Sequence, residues 1–319
     1  MQSDKTMLEA SSRRKLSIKD TRLEKTQRFW SYSAILIPLI GAIATFGLLK
    51  YTGVTKLDLA MLVVMYALTT IGVTVGYHRL FSHNAFQTGT TVKIILAILG
   101  CMSAQGHVIH WVSNHRRHHQ TSDRQGDPHS PYVSQDGKVF NTLTGFWHSH
   151  ISWLVKSDFP NVLLAKDWFK DSAVMKVNRL YPVWVVLGFV IPGIIDGVLS
   201  GTIMGVLRGV LWGGFIRVFL VQHAISAINS IMHLYGSRPF QTSDRSTNNF
   251  WLAIPTGGEA WHNNHHAFPN SAIFGLKWWQ IDPGTWTIRI LERLGLVWDV
   301  KQPTTNMMQV KEVVKVSIV

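Results

Sequence analysis

Four long apolar runs restrict the folds open to this 319-residue chain more than any other feature. They extend approximately over residues 33–49, 57–77, 181–199 and 203–232. A helix of about 20 apolar residues spans the hydrocarbon core of a bilayer. Because lipid leaves no partner for unpaired backbone groups, such a run is expected to be helical. The sequence therefore predicts an all-α integral membrane protein with four transmembrane helices.

The fourth run is less apolar than the others. It contains Arg208, Arg217, Gln222, His223 and Asn229. Ionisable residues inside a membrane usually face protein or a water-filled cavity. We expect this helix to lie inside the bundle, with little of its polar side facing lipid.

A fifth run, residues 92–111, is ambiguous. Gly100, Gln105, Gly106, His107 and His110 weaken it as a lipid-facing span. If the N-terminus is cytoplasmic and this run does not cross, all the histidine-rich segments share one side. We therefore predict an interfacial or re-entrant helix packed on the bundle.

The chain is strongly basic, with a formal net charge of +13. Much of that charge precedes the first run, in Arg13, Arg14, Lys15, Lys19, Arg22, Lys25 and Arg28. This placement fits a cytoplasmic N-terminus under the positive-inside rule. No nucleic-acid-binding motif accompanies the charge, so we expect no nucleic-acid partner. The single cysteine, Cys101, rules out an intrachain disulfide and a multi-thiolate metal site.

We find no repeat or flexible linker, and predict one integrated domain over residues 1–319. Polar, aromatic-rich stretches at residues 112–171 and 234–300 are expected to form a cytoplasmic helical cap.

Fifteen histidines are present, and nine of them are grouped. The motifs HRLFSH, HRRHH and HNNHH, with one histidine after the fourth run, supply His78, His83, His115, His118, His119, His233, His262, His265 and His266. Residues three and four apart share a helix face, so each HxxHH triad is expected to converge. The spacing of five in HRLFSH fits a helix end better than one helical face.

Nine imidazoles exceed the ligand number of one metal ion, so the sequence predicts two metals. Imidazole binds iron, zinc, copper and nickel alike, so ligand type leaves the metal open. Neither an HExxH motif nor a pair of ExxH motifs occurs, so the sequence indicates neither a zincin protease nor a ferritin-like carboxylate site. His107, His110, His148 and His223 are interpreted as ordinary structural residues. His129 and His150 are candidates for orienting the ligands.

These motifs resemble those of the membrane fatty acyl desaturases, including stearoyl-CoA desaturases and their bacterial relatives. The matching stretches are GYHRLFSH, WVSNHRRHHQTSD followed by DPH, FWHSHISWL, NSIMHLYGSRPF and GGEAWHNNHHAFP. They cover residues 76–269 in the family's order and spacing.

The resemblance implies a helical bundle whose cytoplasmic cap holds a di-iron site, with the nine histidines above as ligands. It places the residue that holds a metal-bound water at Asn229. It also places two residues that line a bent acyl tunnel at Gln105 and Trp111. The implied reaction inserts a double bond, using dioxygen and electrons from an external donor such as a ferredoxin or b-type cytochrome.

Two departures from the animal acyl-CoA enzymes bear on the substrate. Their Arg-Asp pair before the second histidine motif is replaced by Ser113 and Asn114, and a basic pair is replaced by Ser157 and Asp158. Since the family pairs hold the CoA head group, the acyl carrier stays open between CoA, acyl carrier protein and a glycerolipid. A hydroxylase or acetylenase on the same scaffold also stays open, as does, more distantly, a non-redox zinc membrane protein.

Overall fold

The computed structural model describes residues 16–313 and is mainly helical. Its helices are α1 (Thr21–Thr52), α2 (Lys56–Ser82), α3 (Thr90–Met102), α4 (Val108–Thr121), α5 (Thr142–Trp147), α6 (Trp153–Lys156), α7 (Ser172–Arg179), α8 (Tyr181–Ser200), α9 (Ile203–Leu234), α10 (His262–Ala267), α11 (Pro283–Arg293) and α12 (Thr305–Lys311). Four of these, α1, α2, α8 and α9, are long and apolar enough to cross a membrane. The predicted all-α fold with four spans is confirmed. Of the basic N-terminal residues, Arg13, Arg14 and Lys15 lie outside the described range.

The first two spanning helices begin at side-chain caps. At α1, the Asp20 carboxylate accepts hydrogen bonds from the backbone N–H groups of Arg22 and Leu23 at 2.8 and 2.9 Å. At α2, Thr55 and Asp58 form a reciprocal capping box. Such caps satisfy the free N–H groups of a first turn. Helix α1 consequently begins well before its apolar run.

The fifth run forms two helices, so the prediction of one helix is wrong. Ala104 and Gly106 have φ angles of 59° and 102°, which end α3 and reorient the chain before α4. Left-handed backbone of this kind cannot continue an α-helix. The 13 residues of α3 would extend about 20 Å, less than the roughly 30 Å of a bilayer core. At this length α3 is too short to cross, as expected from the sequence of this run. Its position at the membrane interface stays a prediction.

Helix α9 is the most enclosed of the spanning helices, as its polar residues predict. Half of its most apolar window is buried, against 22% for α1. The buried Arg217 guanidinium donates to the carbonyls of Met102 at 2.5 Å and Gly188 at 2.6 Å. The cation is therefore held by protein backbone, as a charge at membrane depth requires.

Short π-helical segments interrupt three of the helical regions, at Gly72–Ser82 within α2, His148–Ser152 between α5 and α6, and Val210–Ile216 within α9. In α2 the segment begins where the helix touches α3. A Cβ on Gly72 would lie 2.3 Å from the backbone nitrogen of Gly100, so only glycine allows this approach.

The segments beyond the spans meet at the histidine end of the bundle. Two antiparallel strand pairs tie them together: β1 (Ser17–Ile18) with β3 (Phe159–Pro160), and β2 (Gln87–Thr88) with β4 (Val297–Trp298). A 3-10 helix, Val162–Lys170, packs against α4. The division into one domain with a cytoplasmic cap stays a prediction.

Candidate metal centre

The π-helical end of α2 explains the spacing of five in HRLFSH. The backbone N–H of His83 donates to the carbonyl of His78 at 3.2 Å, the i to i+5 bond of a π-helix. The two rings consequently lie 5.0 Å apart between centroids. His83 caps this segment, so its predicted place at a helix end is confirmed, and the π-helix brings both rings to one side.

The structure brings all nine grouped histidines together, in two clusters. One cluster contains His78, His83, His115, His119 and His265, and the other contains His118, His233, His262 and His266. Within each cluster, one nitrogen of every ring lies within 4.8 Å of all the others.

The expectation that each HxxHH triad converges on one point is wrong. Adjacent helical residues point about 100° apart, so His118 and His119 face different clusters. His265 and His266 diverge in the same way on α10. Each triad thus contributes to both clusters and ties them into one site.

The ring nitrogens meet at distances that suit a shared metal ion. Four Nε2–Nε2 pairs lie close together: His83–His115 at 2.8 Å, His119–His265 at 2.9 Å, His78–His265 at 3.0 Å and His233–His262 at 3.1 Å. Two ligands at right angles on a metal with bonds of about 2.1 Å would be about 3.0 Å apart. The Nε2 atoms of His118 and His266 are buried with no hydrogen-bond partner. The donor set therefore fits two imidazole-bound metals.

Four carboxylates, unassigned in the sequence, hold the opposite nitrogens of the rings. His118 Nδ1 lies 3.0 Å from Asp127, His233 Nδ1 2.9 Å from Asp123 and His266 Nδ1 2.7 Å from Asp244, while His78 Nδ1 contacts Glu259. The ionised carboxylates of the three aspartates accept the Nδ1 protons of their histidines and so direct the Nε2 lone pairs toward the cluster. Asp123, Asp127 and Glu259 lie in the QTSD, DPH and GGEAWH stretches. Their position in these family motifs is the sequence signal by which they could have been identified.

Burial keeps histidines of the five-histidine cluster neutral. Burial lowers the pKa of His83 to about 3, and it lowers the pKa values of His115, His119 and His265 well below their usual range. Burial alone would raise the pKa of Asp127, but its contact with His118 outweighs this and holds that pKa below its usual range. Neutral imidazole is the form that binds metal.

The Glu259 carboxyl has a different environment. Burial raises its pKa to about 8, although the nearby Arg79 guanidinium opposes that rise. The Arg79 Nη2 atom lies 3.5 Å from Glu259 and 2.9 Å from Asp282. A buried cation thus supports two acidic residues next to His78.

A cavity of about 30 Å³ adjoins both clusters. Trp111 and Asn229 line it, beside Val73, Ile225 and Ile228. The Trp111 ring stacks on His115 with 5.1 Å between centroids. Gln105 lies in the turn between α3 and α4, outside this lining. The structure therefore places Asn229 and Trp111 beside the clusters. Gln105 does not line this cavity.

The other histidines occupy separate surroundings. His129 stacks on His118 with 4.3 Å between centroids, as a residue that orients a ligand would. His150 instead bonds His223 at 3.0 Å and Ser230 at 2.9 Å, and its described hydrogen bonds reach neither cluster. His107 bonds the carbonyl of Asn178 at 2.9 Å.

A larger, open cleft of about 650 Å³ lies beside α5 and α6. It is lined by polar and aromatic side chains, among them Lys138, Trp147, His148, Lys156 and Ser157. Ser157 is one of the two positions where the animal acyl-CoA enzymes carry a basic pair. The cleft therefore includes one of the two positions at which this sequence departs from the animal acyl-CoA enzymes.

The chain is similar to known proteins over most of its length. A sequence model described as fatty acid desaturase matches residues 57–289. The chain is 48% identical over 290 residues to hex-5-enoyl-(acyl-carrier protein) acetylenase of Moorena producens, covering 90% of each protein. It is 36% identical over 248 residues to Delta-9 acyl-lipid desaturase 1 of Arabidopsis thaliana, covering 78% of this chain and 76% of the relative. It is 34% identical over 287 residues to the sn-1 stearoyl-lipid 9-desaturase of a Synechocystis species, covering 88% and 81%.

Proposed function

The chain belongs to the fatty acid desaturase family, and we propose that it desaturates a carrier-linked fatty acyl chain with two irons held by the nine clustered histidines. The observation that carries this proposal is the convergence of nine ring nitrogens into one group of five and one of four. The alternative of a non-redox zinc protein is not supported, because the family consists of oxidoreductases.

The substrate explains why a redox metal is required. An unactivated methylene has no acidic proton, and the bound iron supplies, with dioxygen, the oxidising power that acid–base side chains lack. Forming one double bond removes two hydrogens from adjacent carbons. Together with two electrons and two protons from outside, these reduce one dioxygen molecule to two waters.

The protein's own residues hold the ligand set in place. Asp127, Asp123 and Asp244 accept the Nδ1 protons of three rings, which fixes each tautomer and ring orientation. Asn229 lines the cavity beside His262 of the four-histidine cluster, where its amide can hold a water next to the metal. Trp111, stacked on His115, forms the wall against which an acyl chain would lie.

For the carrier, we propose acyl carrier protein. The relative with 48% identity is named for an acyl-carrier-protein substrate. The cleft beside α5 and α6 offers Lys138 and Lys156 to the phosphate of the carrier's phosphopantetheine arm. Asp158, where the CoA-binding enzymes are basic, bonds Ser17 and Gln135 and adds negative charge unsuited to CoA phosphates.

An acetylenase is the second candidate, because that same relative carries this name. Its reaction removes two hydrogens from a carbon pair that is already double-bonded. Both reactions use the same residues. Which one occurs depends on whether the carbon pair held beside the metals is joined by a single or a double bond.

We place the histidine clusters on the cytoplasmic side. Gln27 and Ser31, early in α1, donate to the carbonyls of Ser157 and Leu154 at 2.9 and 2.7 Å, so this helix begins at the histidine end. Basic residues there, including Arg22 and Arg28, favour the cytoplasm. Electrons would come from an external ferredoxin or b-type cytochrome, whose acidic surface would suit a chain of net charge +13.

The test is expression in a host with simple lipids, followed by mass spectrometry of lipids and thioesters and by metal analysis. We expect an acyl-carrier-protein product two mass units lighter than its substrate, with two irons per chain. His118→Ala should remove both the product and iron, whereas His223→Ala, outside both clusters, should keep the iron. A product from an alkenyl substrate alone would favour the acetylenase. A product sixteen units heavier would indicate hydroxylation, and full activity of His118→Ala would contradict the ligand set.

A further inference from the structure

An uncharged loop leads directly into the third histidine motif. Residues 250–258, FWLAIPTGG, contain no Asp, Glu, Lys or Arg. The loop is closed at its base, where the Asn249 N–H donates to the Ala260 carbonyl at 2.9 Å. It is followed at once by Glu259 and His262, which belong to the metal centre.

This loop packs against helices that span the membrane. The Tyr66 hydroxyl, in α2, donates to the Pro255 carbonyl at 2.5 Å. Gly257 lies against α2 so closely that a Cβ there would be 3.0 Å from the Thr70 side chain. Ala253, which is 1% exposed, shares an apolar cluster with Val221 of α9.

These contacts fix the depth of the loop. Tyr66 is ten residues from the start of α2, which is the end opposite the histidines. At 1.5 Å per residue this is about 15 Å along a helix, within a hydrocarbon core of about 30 Å. With a core of this thickness centred on the 27 residues of α2, Pro255, bonded to Tyr66, lies at the level of the hydrocarbon.

The outward side of the loop is apolar, and none of the described residues 16–313 covers it. Phe250, Trp251 and Ile254 are 50%, 83% and 63% exposed. Trp279 contacts Phe250 with 6.4 Å between ring centroids, and its neighbour Trp278 is 97% exposed. Exposed apolar patches of this kind mark an interaction surface, and tryptophans gather where membrane and water meet.

Part of the loop backbone is hydrogen-bonded within the loop. The N–H groups of Thr256, Gly257 and Gly258 donate to the carbonyls of Leu252, Ile254 and Ala253 at 3.0, 3.0 and 2.8 Å, and Pro255 has no N–H. Non-helical backbone is tolerated at membrane depth only where it is buried in protein or lines a water-filled cavity, and Ala253, Thr256, Gly257 and Gly258 are buried.

We infer that residues 250–258 form a re-entrant segment that enters the bilayer from the histidine side, with Trp251 and Ile254 in contact with lipid acyl chains. Trp278 and Trp279 lie above it at the head-group level. The bilayer is the occupant of this surface because the loop continues the lipid-facing side of α2. Lipid contact thus reaches the segment that positions Glu259 and His262.

Single-cysteine labelling tests this, since the native Cys101 is fully buried and bonded to the Tyr77 hydroxyl at 3.1 Å. A nitroxide is attached to Ile254→Cys in the full-length protein in lipid nanodiscs. Ile43→Cys in α1 is the matched lipid control, because Ile43 is 64% exposed against 63% for Ile254. Ser243→Cys, exposed in the polar loop before the segment, is the aqueous control. Unsubstituted protein, treated with the same label, provides the blank.

Collisions with oxygen, which concentrates in lipid, are compared with collisions with a water-soluble nickel complex. We expect the Ile254 label to show the Ile43 pattern, with frequent oxygen and rare nickel collisions. A label with the Ser243 pattern would overturn the inference and assign the surface to an aqueous partner. Trp251→Cys provides an independent second position, and iron content verifies that each labelled protein retains its fold.

Discussion

At the scale of single residues, the carboxylates behind the histidines determine how the rings are oriented. Asp127 holds His118 and also accepts the backbone N–H groups of Asp123 and His129 at 2.9 and 3.1 Å. Because it orders both a ring and the loop that follows α4, its charge and its shape both matter.

Asp127→Asn should therefore weaken iron binding by about 10- to 100-fold, the usual cost of losing such a partner. The amide keeps the size of the side chain but loses the charge that stabilises the Nδ1 proton. Iron titration of the purified protein measures the effect. Asp136→Asn, at an exposed position, is the control and should bind iron as the unchanged protein does. Equal affinity in Asp127→Asn would show that the carboxylate does not support the ligand.

The lowered histidine pKa values predict acid sensitivity. Burial holds the pKa of His83 at about 3, against 6.5 for an ordinary histidine. Between about pH 6.5 and pH 3 the unfolded chain binds protons at these histidines and the folded chain does not. The free energy of unfolding should thus fall as pH drops below about 6.5. Thermal unfolding of metal-free protein between pH 8 and pH 5 measures this, and increasing stability toward acid pH would contradict the prediction.

The sequence predicted the nine histidines that come together, because their spacing repeats in short local motifs. It did not predict how they divide between two clusters, which depends on the angle between adjacent helical residues. It also missed pairings between distant segments. Asp123 and His233 are 110 positions apart, so no local pattern connects them. His150 shows the opposite error, since its place near a motif did not bring it to the metal centre.

At the scale of the elements, the π-helical end of α2 controls where His78 and His83 stand. No apolar periodicity signals a π-helix, so the sequence predicted a helix end without this geometry. Its start is fixed by contact between Gly72 and α3. The helix bounds were predictable from apolar length, whereas this local change of pitch depended on tertiary packing.

Gly72→Ala should disturb that contact. The added Cβ would lie 2.3 Å from backbone atoms of Leu99 and Gly100, and backbone cannot move aside cheaply. We expect a loss of about 1–3 kcal/mol in the free energy of unfolding, with less iron bound because His78 shifts. Gly47→Ala is the control, since nothing lies within 4 Å of its added Cβ. Thermal unfolding and metal analysis of both variants measure the difference, and equal stability would show that α3 can yield.

At the scale of the whole molecule, the spans and the metal centre are joined by buried polar contacts. Arg208 of α9 pairs with the fully buried Asp58 of α2 at 3.2 Å, far from the histidines. Arg79 performs the same role at the other end, between α2 and Asp282. These two ion pairs thus connect the helices at both ends of the bundle, while the cleft beside α5 and α6 is open to the outside.

The charge of that cleft gives a test of the proposed carrier. If Lys138 and Lys156 contact the phosphate of the phosphopantetheine arm, Lys138→Glu with Lys156→Glu should raise KM for an acyl-carrier-protein thioester. The value of kcat should hold, because neither lysine lies among the clustered histidines. Added salt should reduce kcat/KM of the unchanged enzyme and have less effect on the variant, since screening weakens exposed charge contacts. Lys170→Glu, exposed outside the cleft, is the control. An unchanged KM in the double variant would place the carrier elsewhere, and turnover of lipid-linked chains alone would replace the carrier protein with a glycerolipid.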